Sequence, residues 1–599
     1  DENLARNLAA EAGLPALVAR LLVARGITLA EDAHRFLNPS LDHLHSPYEM
    51  LGMDKAIERL RRAIAANEKI LIYGDYDVDG TTAVVILKTA IELCGGRADF
   101  HVPHRIREGY GMKDDVIERA QADGVTLLIS VDTGIRAFAA AETARRLNLD
   151  LIVTDHHLPD DAHGIPPALA VLNPNQRDCS YPCKALCGAG VAFKVAQALL
   201  ETTAGAPHKP GVGLCGTANT DPKRLISSFL KIVAIATIAD AVPLVGENRV
   251  FAKLGLDGLR HPVNAGLKAL LEVAQLGVKP AGAPGKPGVG LPGFSITAGD
   301  VAFRIAPRLN AAGRMDVAQD VVELFSVKDP VRAREIAARL NQLNADRQEE
   351  ERRILDRVAE RFRGAPDMAD AYCIVVDGDG WHRGVIGIAA TRVVEKYGRP
   401  ALVLSNEDGE AYGSGRSISA FHLLDALESC REMFTRFGGH AHAVGFSLPC
   451  DRVPDLRAAL DQYARARLTP ADFIPVLNYD GDVSLFDIND QLYDTLTKLE
   501  PFGMGNPEPV FAAAGTRVMV PPRILKEKHL RLKLAQPNGT RYPKSWNAVG
   551  WRMAEHAEGL LAGDSVDAAF TLEHNDHPDF GGLELRLCDV RKSVAAQAG

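Results

Sequence analysis

Between residues 53 and 155, apolar runs of strand length alternate with amphipathic stretches of helical period. The helical pattern MDKAIERLRRAIAAN leads into the apolar run KILIYG (69–74), and TTAVVILKTAIELCG leads into ADFHVP. The order repeats with KDDVIERAQADG and TLLISVD, then with IRAFAAAETARRLN and DLIVTD (150–155). Strands alternating with helices predict βαβ units and a parallel sheet. Their near-continuous apolar character predicts burial on both faces. Ahead of this block, residues 1–45 read as short helices with a turn at Asn38-Pro39. Behind it, residues 183–275 read as mostly helical, interrupted at 202–222, with a second Gly/Pro-rich stretch at 277–293; both stretches read as loops or insertions. The pattern DPVRAREIAARLNQLNADRQEEERRILDRVAERF keeps a helical period for roughly 50 Å at 1.5 Å per residue, and reads as a solvated connector. A second α/β segment follows at 371–450, and from about 470 short alternating strands predict a small β-barrel. The expected division is an N-terminal helical segment (1–50), an α/β domain with a parallel sheet (51–330), a connecting helix (331–365), a second α/β domain (366–465) and the barrel (466–599).

Three segments carry chemistry. GDYDVDG (74–80) sets Asp75, Asp77 and Asp79 in a loop between a strand and a helix. Asp is poor in strands and good in loops and caps, but capping one helix needs one Asp, not three. The D-x-D-x-D-G order also begins a calcium loop. Counted from Asp75, however, position 12 falls on Ile86 instead of Glu, and the preceding element is a strand, so that reading fails. VDTG (131–134) ends a strand at Asp132; an aspartic protease would need a second such loop in an all-β chain. TDHHL (154–158) places Asp155, His156 and His157 at a third strand end. In an open parallel sheet, ligands bind beyond the carboxyl ends of the strands, so folding gathers these groups. That many like charges repel unless cations neutralise them. Mixed carboxylate and imidazole ligands without thiolates favour Mn²⁺ or Mg²⁺, and the ligand count suits two ions. Asp240, closing the run KIVAIATIAD, is either a cap or a further ligand.

GDYDVDG, VDTG and TDHH, with Asp240 in IADAVPL, resemble in order the four motifs of the DHH phosphoesterase family. WHRGVIGIAATR (381–392), GSGRSI (413–418) and GGHAHAVGF (438–446) resemble its associated second domain. APRLNAAGRM (306–315) and PFGMGNPEPVF (501–511) are similar to segments of its RecJ exonuclease branch. The resemblance implies a parallel-sheet DHH domain, a DHH-associated domain joined by a long helix, and an OB-type barrel. It implies a two-metal 5′ to 3′ exonuclease releasing mononucleotides from single-stranded DNA, in recombination and repair. It further implies that Asp77, Asp79, Asp132, His156 and Asp240 hold two cations, with Asp132 bridging them, Asp75 at their edge and His157 catalytic. Several small-substrate relatives carry a His where this chain has Tyr73. A single-strand-binding protein and a RecQ-type helicase are the partners the family suggests. Two other readings stay open: a DHH phosphodiesterase for short oligonucleotides or cyclic dinucleotides, and a non-catalytic single-strand-binding scaffold.

Candidate substrate residues follow from composition. Ser414, Arg416 and Ser417 in GSGRSI suit a phosphate nest. Arg304, Arg308 and Arg314 lie in one stretch, and His382, Arg383 and His440 in others. The two α/β domains are expected to flank a groove too narrow for a duplex. Residues 523–552 hold eight Lys/Arg against one Glu, with Trp546 and Trp551, and suit single-strand stacking in an OB-fold. That local charge is notable because the whole chain carries −9. The nine Cys form no C-x-x-C pair, which suits a reducing cytoplasm. No apolar run reaches the ~18 residues of a membrane span, and the first residues lack the pattern of a signal peptide. The missing initiator Met reads as a processed or trimmed start.

Overall fold

Five apolar strands form the first sheet. They are β1 (Lys69–Tyr73), β2 (Ala98–His101), β3 (Val125–Val131), β4 (Asp150–Thr154) and β5 (Ala170–Leu172), in the order β2-β1-β3-β4-β5. All four pairings are parallel. From β1 the chain first crosses to one side, to β2, and then to the other, to β3. The switch point, where an open sheet leaves a crevice, therefore lies beyond the end of β1, beside β3 and β4. One face is covered by helices Asp114–Ala122 and Phe138–Arg146, with Ile117, Ala140 and Leu128 in their common core. The apolar helix Val78–Leu93 is buried almost all round. It packs against Gly188–Thr203 and Pro222–Ala239. Tyr73, at the position where some relatives carry His, points into the sheet core; it is fully buried and its hydroxyl donates to the Gly111 carbonyl.

The computed structural model describes all of residues 1–599 except 110, 161, 204–221, 278–295, 316–317, 365–367, 369, 538–543, 576–580 and 594–599. Most of the two Gly/Pro-rich stretches therefore lies outside the described residues.

The long helix runs Pro330–Gly364. It is not the solvated strut that its polar composition suggests. Ala333, Ile336, Ala337, Leu340, Ile354 and Val358 form a buried line along it, packed on helices Ala265–Val273, Ala306–Met315 and Ile386–Tyr397. The second sheet comprises β6 (Ile374–Asp379), β7 (Ala401–Glu407), β8 (Glu410–Arg416), β9 (Arg436–Gly439) and β10 (Ala443–Pro449), in the order β6-β7-β8-β10-β9. Only β6 and β7 pair in parallel. Both sheets lie in one of the two units of the chain, His45–Asp240 with Leu254–Pro475.

The other unit is Asp1–Leu44, Ala241–Lys253 and Val476–Gly599. Its strands are β11 (Gly481–Asp482), β12 (Phe511–Val518), β13 (Arg523–Leu525), β14 (His529–Ala535), β15 (Ser545–Gly550), β16 (Ser565–Asn575) and β17 (Gly582–Lys592). Their order is β11-β12-β16-β17-β15-β14-β13, and an extra β12–β14 pairing closes a five-stranded barrel of OB type. The first three helices do not stand apart as the sequence suggests. Leu8, Leu21, Leu22 and Phe36 share one core with Leu485, Ile488 and the barrel interior. Arg249 fastens this core: it is buried, stacks at 3.6 Å over the Phe36 ring and donates to the carbonyls of Phe36 and Glu500.

Trp546, expected to stack on nucleic acid, instead belongs to this core. It is 8% exposed, and its indole N–H donates to the Leu485 carbonyl at 2.9 Å. Period-two alternation along β15 turns it inward. Trp546→Ala is accordingly expected to cost about 3–5 kcal/mol of stability, read as a lower denaturation midpoint. Trp551→Ala, at a 58% exposed ring edge-on to His529, is expected to keep that midpoint and weaken strand binding.

Candidate metal centre and phosphate cavity

The three motifs leave adjacent strands at the same sheet edge, so sheet order alone brings them together. β1 delivers Asp75, Asp77 and Asp79, β3 delivers Asp132, and β4 delivers Asp155, His156 and His157. Asp240 arrives at the end of helix Pro222–Ala239. Three groups of ligand atoms each fall within 4.8 Å of one another: Asp75, Asp77 and Asp132; Asp132, His156 and His157; Asp79, His156 and Asp240. Asp132 belongs to two of them. Nε2 of His156 lies 3.2 Å from Asp132 Oδ1, 3.7 Å from Asp79 Oδ2 and 3.9 Å from Asp240 Oδ2.

The local backbone is built around these carboxylates. Asp132 holds a left-handed φ of 58°, which Asp tolerates better than most residues. Asp79 accepts from the Gly188 and Ala189 N–H groups at 2.6 and 2.8 Å, at the positive end of helix Gly188–Thr203. Gly188 is required there, because a Cβ would stand 2.5 Å from Asp132 Oδ1. Asp155 is buried and belongs to none of the three groups. Its oxygens accept from the N–H groups of Ile135, His156 and His157, and Oδ1 lies 2.7 Å from His157 Nδ1. Asn173 and Asn175 tie the His157 and His156 carbonyls from the loop after β5.

The electrostatics call for cations. Burial, followed by repulsion from Asp77, pushes the Asp75 carboxyl up to about 8. Burial, then Asp79 and Asp77, does the same to Asp240, again to about 8. Asp77 and Asp132 are also raised, by burial and their carboxylate neighbours. Buried Oδ1 atoms of Asp75 and Asp132 accept no hydrogen bond, even though His156 Nε2 is close to the latter. Oxygen-rich ligands with accepting atoms left over and excess negative charge fit hard divalent cations. At ligand distances of about 2.1 Å, neighbouring ligands of one octahedral ion stand about 3 Å apart, close to the His156–Asp132 spacing. His157 differs: burial lowers its affinity for a proton, but the bond to Asp155 outweighs that and lifts it to about 9. Asp155 itself is held low by the same bond, against its burial. Asp155 thus faces the His157 Nδ1 side of the ring. Adding Mn²⁺ is expected to raise the melting temperature, since a ligand at a hundred times its Kd contributes about 2.7 kcal/mol. Asp132→Asn is expected to lose most of that rise.

Beside the carboxylates lies a cavity of about 500 Å³ whose lining includes Arg105, Arg314, Arg383, Arg416 and Arg436, with Ser414, and no acidic residue. Alternation along β8 puts Ser414 and Arg416 on one face. The Arg416 guanidinium donates to Ser414 Oγ and the Gly415 carbonyl. Arg314 is held by the Gly384 carbonyl at 3.3 Å, and Arg383 stacks over Tyr412 at 3.5 Å. Burial and mutual repulsion lower Arg314 to about 10 and lower Arg416 as well, the mark of a site arranged for an anion. Gly387 keeps it open, since a Cβ would stand 3.0 Å from Ser414 Oγ.

Other expected residues lie elsewhere. Arg304 donates to Asp300 and to the Ala274 and Gln275 carbonyls, and Arg308 to Asn341 and the Arg304 carbonyl. Both guanidiniums are thus spent on helix ends and a neighbouring helix, and neither lines the cavity. Ser417 Oγ donates to the Phe421 carbonyl. His440 is exposed beyond β9 and does not line the cavity. His382 lines a second space, of about 680 Å³, with Arg383 and four carboxylates, Asp346, Glu349, Glu350 and Glu407, so its surrounding is acidic on balance. Sequence reasoning missed Arg105, which VPHRIREG does not set apart from its neighbour Arg107, and the support given by Gly188 and Asp155.

On the barrel, Arg531 and Lys533 alternate outward along β14 with buried Leu530, Leu532 and Leu534. Arg531 stands opposite Arg523 of β13. Like charges facing across strands destabilise a sheet on their own and suit a phosphate backbone.

Residues 69–237 match the N-terminal domain of the DHH family, residues 370–466 the DHHA1 domain and residues 479–589 the RecJ OB domain. The chain is 36% identical over 595 residues to the single-stranded-DNA-specific exonuclease RecJ of Bacillus subtilis (strain 168), covering 99% of this chain and 70% of that protein. It is 33% identical over 539 residues to the RecJ of Escherichia coli (strain K12), covering 88% of each. The crystal structure of Thermus thermophilus RecJ in complex with Mn²⁺ matches with a TM-score of 0.78 at 28% identity, covering 99% of this chain and 78% of that one.

Proposed function

The chain belongs to the RecJ family of single-stranded-DNA-specific exonucleases, and from that premise we propose how its residues set the direction and the chemistry of the cut. The protein is a divalent-metal-dependent exonuclease for single-stranded DNA. The observation that carries the reading is the arginine-lined cavity, whose Arg105 lies 5.0 Å over the ring of Tyr76, between Asp75 and Asp77 of the carboxylate cluster.

Asp75, Asp77, Asp79, Asp132, His156 and Asp240 would hold Mn²⁺ or Mg²⁺, which when bound would supply neutralisation of phosphodiester charge and an activated water. Arg416, Arg314 and Arg105 grip a terminal 5′-phosphate and so set the first internal phosphodiester against the carboxylates. His157, oriented through Nδ1 by Asp155, presents a proton at Nε2 to a non-bridging oxygen. Adding water across the P–O3′ bond leaves a 3′-hydroxyl on the released mononucleotide and a 5′-phosphate on the shortened strand. Each cut therefore regenerates the group that the cavity grips, and degradation runs 5′ to 3′. Recombination and repair are the proposed setting, and a single-strand-binding protein and a RecQ-type helicase the proposed partners on family resemblance.

The direction is tested with strands blocked at one end by a bulky non-phosphate group. A 5′ block is expected to protect the strand and a 3′ block to leave digestion unchanged. Protection by the 3′ block alone would overturn the assignment.

A further inference from the structure

The helical stretch from Ala298 to Met315 contains one i→i+5 turn, Val301–Ile305, in which the Ala306 N–H donates to the Val301 carbonyl. Such turns re-aim the side chains around them and recur at functional sites. Phe303, inside this turn, precedes Pro307, Asn310 and Arg314 at steps of four, three and four residues, and the last three share one face of helix Ala306–Met315. The buried positions of the same stretch are Ala298, Val301, Ile305, Ala306, Leu309, Ala311, Ala312 and Gly313.

Two members of the outer face belong to the site already described. Asn310 Oδ1 accepts from the Val78 N–H at 3.1 Å, one residue beyond Asp77. Arg314 lines the arginine cavity. Phe303, at the other end, is 80% exposed. Leaving a Phe side chain in water forgoes roughly 1.5–3 kcal/mol of burial. Along the helix the order is Arg314, then Asn310 beside the carboxylate loop, then Pro307, then Phe303. Along a strand held by its 5′-phosphate the order is terminal phosphate, scissile phosphodiester, then downstream nucleotides. The two orders coincide.

We propose that Phe303 is a stacking platform for a base of the incoming single strand, downstream of the cut. The inference rests on the 5′-end reading above. Eleven residues of helix separate Phe303 from Arg314, about 16 Å at ~1.5 Å per residue. A strand stacked at about 3.4 Å per nucleotide covers that distance in about five nucleotides, and an extended strand in fewer. Every base has a π-face, so the platform takes any sequence; it grips long strands and does nothing for a dinucleotide. It also demands an unpaired base, which adds to selection for single strands.

Phe303→Ala is expected to shrink the kcat/KM advantage of a 20-nucleotide strand over a 5′-phosphorylated dinucleotide about tenfold, mainly through KM, with Phe303→Trp restoring it. The Phe303→Trp protein, without turnover and measured against wild-type emission, is expected to show extra quenching by strands of about five nucleotides or more and none by dinucleotides. An unchanged length preference in Phe303→Ala, or equal quenching by dinucleotides, would overturn the platform. The quenching arm needs no catalysis, so it judges Phe303 by itself. Failure of the wild type to shorten strands from the 5′ end would instead count against the reading of the active site.

Discussion

Asp132→Ala is expected to release mononucleotides at least about a thousandfold more slowly than the wild type, while binding single strands with little change. Asp132 contributes to two of the three groups that could hold a cation, so on the proposed reading its loss would weaken two groups at once rather than remove one contact. Metal assistance supplies several kcal/mol of transition-state stabilisation, and about 4 kcal/mol corresponds to roughly a thousandfold in rate. The control is Asp132→Asn. It keeps the shape of the side chain, and Asn accepts the left-handed backbone at this position, whereas Ala is strained by it. Single-turnover rates that fall alike in both variants, with melting temperatures close to the metal-free wild type, would assign the loss to the ligand and not to folding. Retention of more than a tenth of the activity by the Asn variant would remove Asp132 from the shared position.

The second large effect is expected at Arg416. Hydrogen bonds to charged groups contribute about 1.5–3 kcal/mol, so Arg416→Ala is expected to lower hydrolysis of a 5′-phosphorylated strand about 10- to 100-fold. A 5′-hydroxyl strand, which offers the cavity no terminal phosphate, is expected to be the poorer substrate from the start and to lose little more. The ratio of the two rates is the informative quantity, because damage to the fold would lower both. Arg416→Lys restores charge without the planar fork and is expected to recover the ratio only in part. Equal losses on both strands would place Arg416 outside the grip on the terminal phosphate.

The carboxylate and histidine cluster was legible because all its members except Asp240, which ends a helix, follow an apolar strand, and a parallel sheet carries such residues to one edge whatever its strand order. GDYDVDG, VDTG and TDHH needed only that rule. The supports were not legible, because they come from distant pairings. Nothing in CGAG announces that Gly188 and Ala189 will donate to Asp79, and Asp155 looks like a ligand until its oxygens are seen to be taken by Ile135 and the His-His backbone. Arginines misled in the same way. Arg304, Arg308 and Arg314 share a stretch, but successive helical positions point in different directions, so only Arg314 reaches the cavity. Trp546 and Trp551 sit five residues apart in one basic segment, and strand alternation and the turn after β15 send one into the core and leave the other exposed. The packing of the first three helices against the barrel core joins chain segments more than 400 residues apart, and neither segment names the other.

The measurement that bears most directly on the whole account is digestion of a 5′-phosphorylated, end-labelled single strand with Mn²⁺, beside the same strand fully paired in a blunt duplex and beside a reaction containing a chelator. The account predicts mononucleotides released progressively from the single strand, the duplex left intact, and no product with the chelator. Digestion that continued in the chelator, or that proceeded equally on the duplex, would contradict it.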